Sequence, residues 1–177
     1  MTAVNRTRRN GRGAGAPGSA AGSAAERRRR PPVTVDDLLG MSQLQLDELF
    51  RGSRPGAIPA GFGAGTVIVP TPSPLPRVAA SVARLGWRGK LFNRESHDLL
   101  NSLLPFGIRA VRAEVSVGTS LLDGKPAIVL DYSRTSLVAH YIRDEVREVA
   151  PGLYLGFLYF AGRRTINIVL AFGAQRD

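Results

Sequence analysis

The chain has 177 residues, 44% of them hydrophobic, which is enough for one sizeable core and too little for two ordinary domains. It has no cysteine, so disulfides, thiolate metal sites and cysteine nucleophiles are excluded. It also lacks an apolar run of the about 18 residues that would cross a membrane as a helix.

The formal charge of +10 is unevenly placed. Residues 1–32 carry eight arginines (Arg6, Arg8, Arg9, Arg12 and Arg27 to Arg30) against Glu26 alone, so the remainder is only mildly basic. That segment has no aromatic residue and little that is large and apolar, which predicts a disordered tail. It reads either as a solubilising extension or as an electrostatic arm for nucleic acid or an anionic membrane. Its arginines are not followed by an apolar stretch, so no secretory signal is expected, and the composition fits a cytoplasmic protein.

A single domain is expected over residues 33–177. Thr34-Val35-Asp36-Asp37 and Ser42-Gln43-Leu44-Gln45 are two helix-start signatures, the second a capping box that opens a helix carrying Leu46, Leu49 and Phe50 to about Gly52. Gly61 to Gly65 lead into Thr66 to Val69, a β-branched run that predicts a strand. The glycines precede a strand and do not open a helix, so they make no dinucleotide fingerprint. After Pro70, Pro72, Pro74 and Pro76, a helix is expected from Leu75 to Leu85.

From Trp87 onward the pattern predicts strands at Lys90 to Asn93, at Leu99 to Leu104 and at Ile108 to Val117. The last alternates Val111, Ala113, Val115 and Val117 with Arg112, Glu114 and Ser116. Asp123-Gly124 marks a hairpin turn returning through Ala127 to Leu130. Thr135 or Ser136 is expected to cap a helix to Val149, striped by Val138, Ile142, Val146 and Val149 and ended by Pro151-Gly152. A final hairpin pairs Leu153–Phe160, apolar on both faces, with Thr165–Phe172.

The expected fold is α+β: a strongly curved or closed antiparallel sheet of about six or seven strands. Two or three N-terminal or peripheral helices accompany it, and one helix lies between the last two hairpins.

Phosphate-loop, HExxH and GxSxG motifs are lacking, no cofactor or metal site is indicated, and only His97 and His140 carry imidazoles. On the expected helix His140 precedes Asp144 by one turn, which would orient its ring, and His140 or Asp131 could then serve as an acid or base. The polar cluster Asp131 to Ser136, with Arg143 and Arg147, reads either as an anion site at a helix start or as capping plus an Asp144–Arg147 pair on a solvated face. Arg112 and Glu114 would face the lumen of a closed sheet as a buried pair, or face water on an open one. Trp87, Tyr132, Tyr154 and Tyr159 could line a cavity for an apolar ligand or pack a core.

The block Asp123-Gly124-Lys125, Ile128 to Ser133, Ile142 to Arg147 and Pro151 to Gly156 resembles a group of uncharacterised bacterial proteins, a resemblance that implies no activity. Strand content, a short N-terminal helix and Gly86-Trp87 are similar to calycin-type barrels of the lipocalin and plastid-fibrillin class. That similarity implies a barrel holding a lipid or another apolar molecule.

Three functions follow as expectations. The first is a module binding an apolar molecule or lipid with an acidic headgroup through Arg112, Tyr132, Arg143, Tyr154, Tyr159 and Trp87. The second is an enzyme using that pocket with His140 or Asp131. The third is an adaptor for nucleic acid or anionic membrane acting through residues 1–32.

Overall fold

Two capping boxes start the helices expected at the N-terminal edge of the domain. Thr34 caps α1 (Val35–Gly40) and Ser42 caps α2 (Gln43–Gly52); in each, the cap side chain accepts from the backbone N–H three residues on, and that residue's side chain accepts from the cap N–H. Each helix is too short to stand alone in water. Both are held by the apolar side chains they place on the sheet, Leu38 from α1 and Leu46 and Phe50 from α2, all buried.

A computed structural model describes residues 33–69, 86–93, 95–103, 108–134 and 139–173. Residues 1–32 and the helix expected from Leu75 to Leu85 lie outside them. The strands are β1 (Gly61–Ile68), β2 (Trp87–Asn93), β3 (Asp98–Leu103), β4 (Ile108–Thr119), β5 (Pro126–Asp131), β6 (Ile142–Ala150), β7 (Leu153–Phe160) and β8 (Arg163–Phe172). Each pairs antiparallel with the next, and β8 pairs antiparallel with β1, closing an up-and-down barrel. The Ala161-Gly162 turn between β7 and β8 places both residues at positive φ, +47° and +75°. This is the twist that matches two right-twisted strands, and it makes glycine the natural second residue.

The sheet therefore has eight strands instead of six or seven, and the eighth is the segment expected as a helix. Ile142 to Val149 belong to β6, paired with β5 and β7; residues 135–138 lie outside the described residues. The four-residue spacing of Ile142 and Val146 suits a helix, but two residues an even number apart also share one face of a strand. No alternation betrays the strand because both its faces are buried and both carry charges, Asp144 on one and Glu145 and Arg147 on the other. An all-antiparallel up-and-down barrel needs an even number of strands, so β6 is the strand that lets the sheet close.

Closure creates two cores. Lumenal side chains from every strand, among them Phe92, Leu99, Val115, Ile128, Leu130, Leu158, Ile166 and Leu170, form the first. The second lies outside the barrel, where Leu155, Phe157 and Val169 pack against Leu38, Leu46 and Phe50 of the helices. Its centre is the Phe50–Phe157 ring contact, with centroids 4.5 Å apart. This double cover explains why β7 is buried along nearly its whole length.

Candidate functional site

The lumen is not wholly apolar. Lys90 (β2), Asn101 (β3), Tyr132 (just after β5) and Asp144 (β6) point into it and meet one another, with Trp87 at their edge. They gather toward the end of the barrel where β2 begins and β5 finishes. The other end is crossed by the stretch from α2 to β1. There the Arg54 carbonyl accepts from Glu148 N–H at 3.1 Å, the Ala57 carbonyl accepts from Tyr154 Oη at 2.7 Å, and Ile58 packs on the lumenal core.

Local irregularities in two strands set the cluster up. A register shift between Trp87 and Gly89 lets Trp87 and Lys90, an odd number of residues apart, both face inward. Gly65 on β1 leaves room for the Trp87 ring, whose edge occupies the place a Cβ would take. A second shift, opposite Leu100 and Asn101, leaves Val111 of β4 as an extra residue. Val111 sits at φ +64°, a conformation that is strained for a β-branched side chain. Its carbonyl accepts from Asn101 Nδ2 at 3.1 Å, so the strained residue holds a member of the cluster in place.

Hydrogen bonds join these side chains to one another. Lys90 Nζ donates to Asn101 Oδ1 at 2.8 Å, to Tyr132 Oη at 2.6 Å and to Asp144 Oδ2 at 2.8 Å, which uses all three of its protons. Tyr132 Oη donates to Asp144 Oδ2 at 3.2 Å and accepts from Asn101 Nδ2 at 3.0 Å. Trp87 Nε1 donates to Asn101 Oδ1 at 3.3 Å. Asp144 Oδ1, in contrast, is buried without a hydrogen-bond partner.

Burial alone would push the Lys90 ammonium down, but the Asp144 carboxylate and, after it, the Tyr132 hydroxyl together outweigh this and hold it above the usual lysine range. Burial, reinforced by the Asp144 carboxylate and opposed by Lys90, pushes the Tyr132 phenol up to about 12. At neutral pH the amine is charged and the phenol neutral. A protonated amine is no nucleophile, and a phenol of that pKa stays protonated at neutral pH, so it offers no base and is a weak acid. The cluster is equipped to hold and orient a polar group.

Of the residues singled out from the sequence, Trp87, Tyr132 and Tyr154 face the lumen, with Tyr154 at the opposite end from the cluster. Tyr159 lies on the outer face beneath the helices; its hydroxyl is buried without a partner, and burial together with Glu145 pushes it up to about 12. Arg143 is also outside, 3.0 Å from Glu145 and donating to the Thr119 carbonyl at 2.6 Å. Arg112 faces outward and pairs with Asp98.

The sheet closes, yet the face carrying Arg112 and Glu114 stays outside, because Ala113 and Val115 take the lumenal positions of β4. Asp131 ends β5, where its Oδ1 accepts from Ser133 N–H at 2.8 Å. His140 is exposed, its ring 3.7 Å from that of Tyr141. The one-turn relation of His140 to Asp144 falls with the helix: Asp144 lies in the lumen on Lys90. The Asp144–Arg147 pair fails likewise, since those residues point to opposite sides of β6.

Lys90, Asn101 and Asp144 carry the site; from the sequence neither Lys90 nor Asn101 is a candidate, and Asp144 enters only as a partner of His140 or Arg147. Each is a polar residue on the apolar face of a strand: Lys90 with Phe92, Asn101 with Leu99, and Asp144 between Ile142 and Val146. Among the described residues no cluster of His, Asp and Glu is arranged to hold a metal ion, and no helix is long and apolar enough to cross a membrane.

Fold and site together define an eight-stranded up-and-down barrel with a charged cluster inside it. A crystal structure of a protein from Thermomonospora curvata is similar to this chain, with a TM-score of 0.55 and 15% identity over 75% of this chain and 89% of that one; at that identity the likeness is one of fold. No protein-family model matches the sequence, and no curated protein does.

Proposed function

We propose that the barrel is a binding module for a small, largely apolar molecule, held with its polar end on Lys90, Asn101, Tyr132 and Asp144 and beside Trp87. The observation that carries this is the Lys90–Asp144 pair, whose side chains are 4% and 1% exposed, inside a core that is otherwise apolar. Burying two charges costs several kcal/mol per ion before their attraction repays it, and apolar residues of the same volume often serve stability as well or better. A barrel needing only to fold would do so without them. Eight-stranded barrels have an interior wide enough for side chains or one small ligand, and the up-and-down order of the strands agrees with the calycin resemblance. A few convergent polar groups in an apolar enclosure are the usual composition of a small-molecule site.

Trp87 is the only tryptophan, so its emission reports on this site alone. Titrating the full chain with a panel of apolar probes should give saturable one-to-one uptake, seen as a shift in Trp87 emission and as a mass adduct in native mass spectrometry. An unchanged emission and an unliganded mass across the whole panel would overturn the proposal.

A further inference from the structure

The cluster's unused bonding capacity identifies the kind of group it takes, an inference that rests on reading the barrel as a binding module. All three Lys90 protons, the Tyr132 hydroxyl proton, both Asn101 amide protons and the Trp87 indole proton are already donated within the cluster or to the Val111 carbonyl. The charge of Lys90 is balanced by Asp144 at 2.8 Å. What remains is an acceptor: Asp144 Oδ1, on a residue 1% exposed and without a donor.

A buried carboxylate oxygen left unpaired is destabilising, whereas a hydrogen bond to it is among the stronger kinds. The geometry points to a ligand that brings the donor: an apolar molecule with a neutral hydroxyl or N–H group, which donates to Asp144 Oδ1. An ionised carboxylate or phosphate headgroup has no proton to offer. It would find no uncommitted donor and would face the Asp144 oxygen, a like charge in a poorly hydrated setting.

Three probes of equal chain length decide this with the unmodified full chain: 1-decanol, decyl methyl ether and decanoate, each titrated below its aggregation concentration while Trp87 emission is followed. The alcohol should bind at least about tenfold more tightly than the ether, which lacks only the proton, and more tightly still than decanoate, as expected for one hydrogen bond to a charged acceptor. In Asp144→Asn the alcohol's advantage over the ether should fall to less than about threefold. Should that variant not fold, the three affinities of the wild-type chain decide alone.

Equal binding of alcohol and ether, or tighter binding of decanoate, would overturn this inference and leave the binding module standing. If none of the three enters, this inference falls; the binding module falls with it only if the whole panel of apolar probes also leaves the Trp87 emission and the mass unchanged.

Discussion

Strand β6 carries two buried charge clusters on its opposite faces, and they are built to different standards. On the outer face Arg147 is fully buried, with every N–H used: Nε on the Pro126 carbonyl, Nη1 on the Phe50 carbonyl and Asp123 Oδ2, Nη2 on Asp123 Oδ1 and the Lys125 carbonyl, at 2.8–3.1 Å. Its guanidinium also lies 4.4 Å from the centre of the Phe50 ring. Beside it Glu145 accepts from Ser120 Oγ, from Leu121 N–H and from Arg143 Nε. These bonds tie the end of α2 and the β4–β5 turn to the barrel wall. On the inner face Asp144 joins Lys90 but leaves one oxygen without a donor, and a strained Val111 supports its neighbour Asn101. Tyr159 Oη and Asn167 Oδ1 on the outer side also lack a partner, so an orphaned polar atom alone does not set the inner cluster apart. What does is that its unfilled oxygen belongs to a member of a buried ion pair and lies in a cluster supported by a strained residue.

If the comparison holds, the largest loss follows damage to the outer cluster. Arg147→Met strips the donor from the carbonyls of Phe50, Lys125 and Pro126, the first of them buried, and removes the ion-pair partner of Asp123. Urea unfolding should therefore show a loss of about 3–5 kcal/mol, the usual range for breaking a buried ion pair. A loss under about 1 kcal/mol would place Arg147 with ordinary surface pairs and remove the contrast.

Acid provides a gentler test. Hydrogen bonds from Arg147 hold the Asp123 carboxyl down to about 2, below the aspartate value of about 3.9 in an unfolded chain. Between those values the unfolded state binds the proton and the folded state does not, so folding gains from this group above pH 4 and loses the gain as pH falls toward 2. Stability followed across that window should decline more steeply in the wild type than in Asp123→Asn. Parallel profiles would show that Asp123 contributes nothing through Arg147.

The smallest of these effects concerns the helix that the outer cluster anchors. Ser42→Ala removes the cap on Gln45 N–H and should cost about 1 kcal/mol in thermal or urea unfolding. Because α2 also rests on the Phe50–Phe157 contact, its helicity should survive the change. Loss of the helix in circular dichroism would show that the cap, and not the packing, holds it.

What could be read from the sequence divides along the same line. The caps at Thr34 and Ser42, the Asp123-Gly124 turn and the alternation of Ala113 and Val115 with Arg112 and Glu114 depend on neighbours a few residues away, and they stand in the structure. The lumenal cluster depends on barrel closure, which brings together residues far apart in the chain: Lys90 from β2, Asn101 from β3 and Asp144 from β6. The inward turn of Trp87 and the Val111 carbonyl that holds Asn101 also hinge on register shifts, at Trp87–Gly89 and at Val111, which no local pattern announces. Asp144 was hidden further by the helical spacing of Ile142 and Val146. Tyr132 and Trp87 stand out in the sequence as aromatic residues in a β-rich region; the reason they matter, bonds to Lys90 or Asn101, depends on how the strands pair.

The stability of the Lys90→Met, Asp144→Leu double variant, measured by urea unfolding, tests most directly whether the inner cluster exists for a ligand. With both charges replaced by apolar side chains of similar size, the empty barrel should be as stable as the wild type or more so, by up to about 1–4 kcal/mol. A double variant less stable than the wild type by several kcal/mol would mean that the lumenal charges hold the barrel together, and the contrast between the two faces of β6 would be lost.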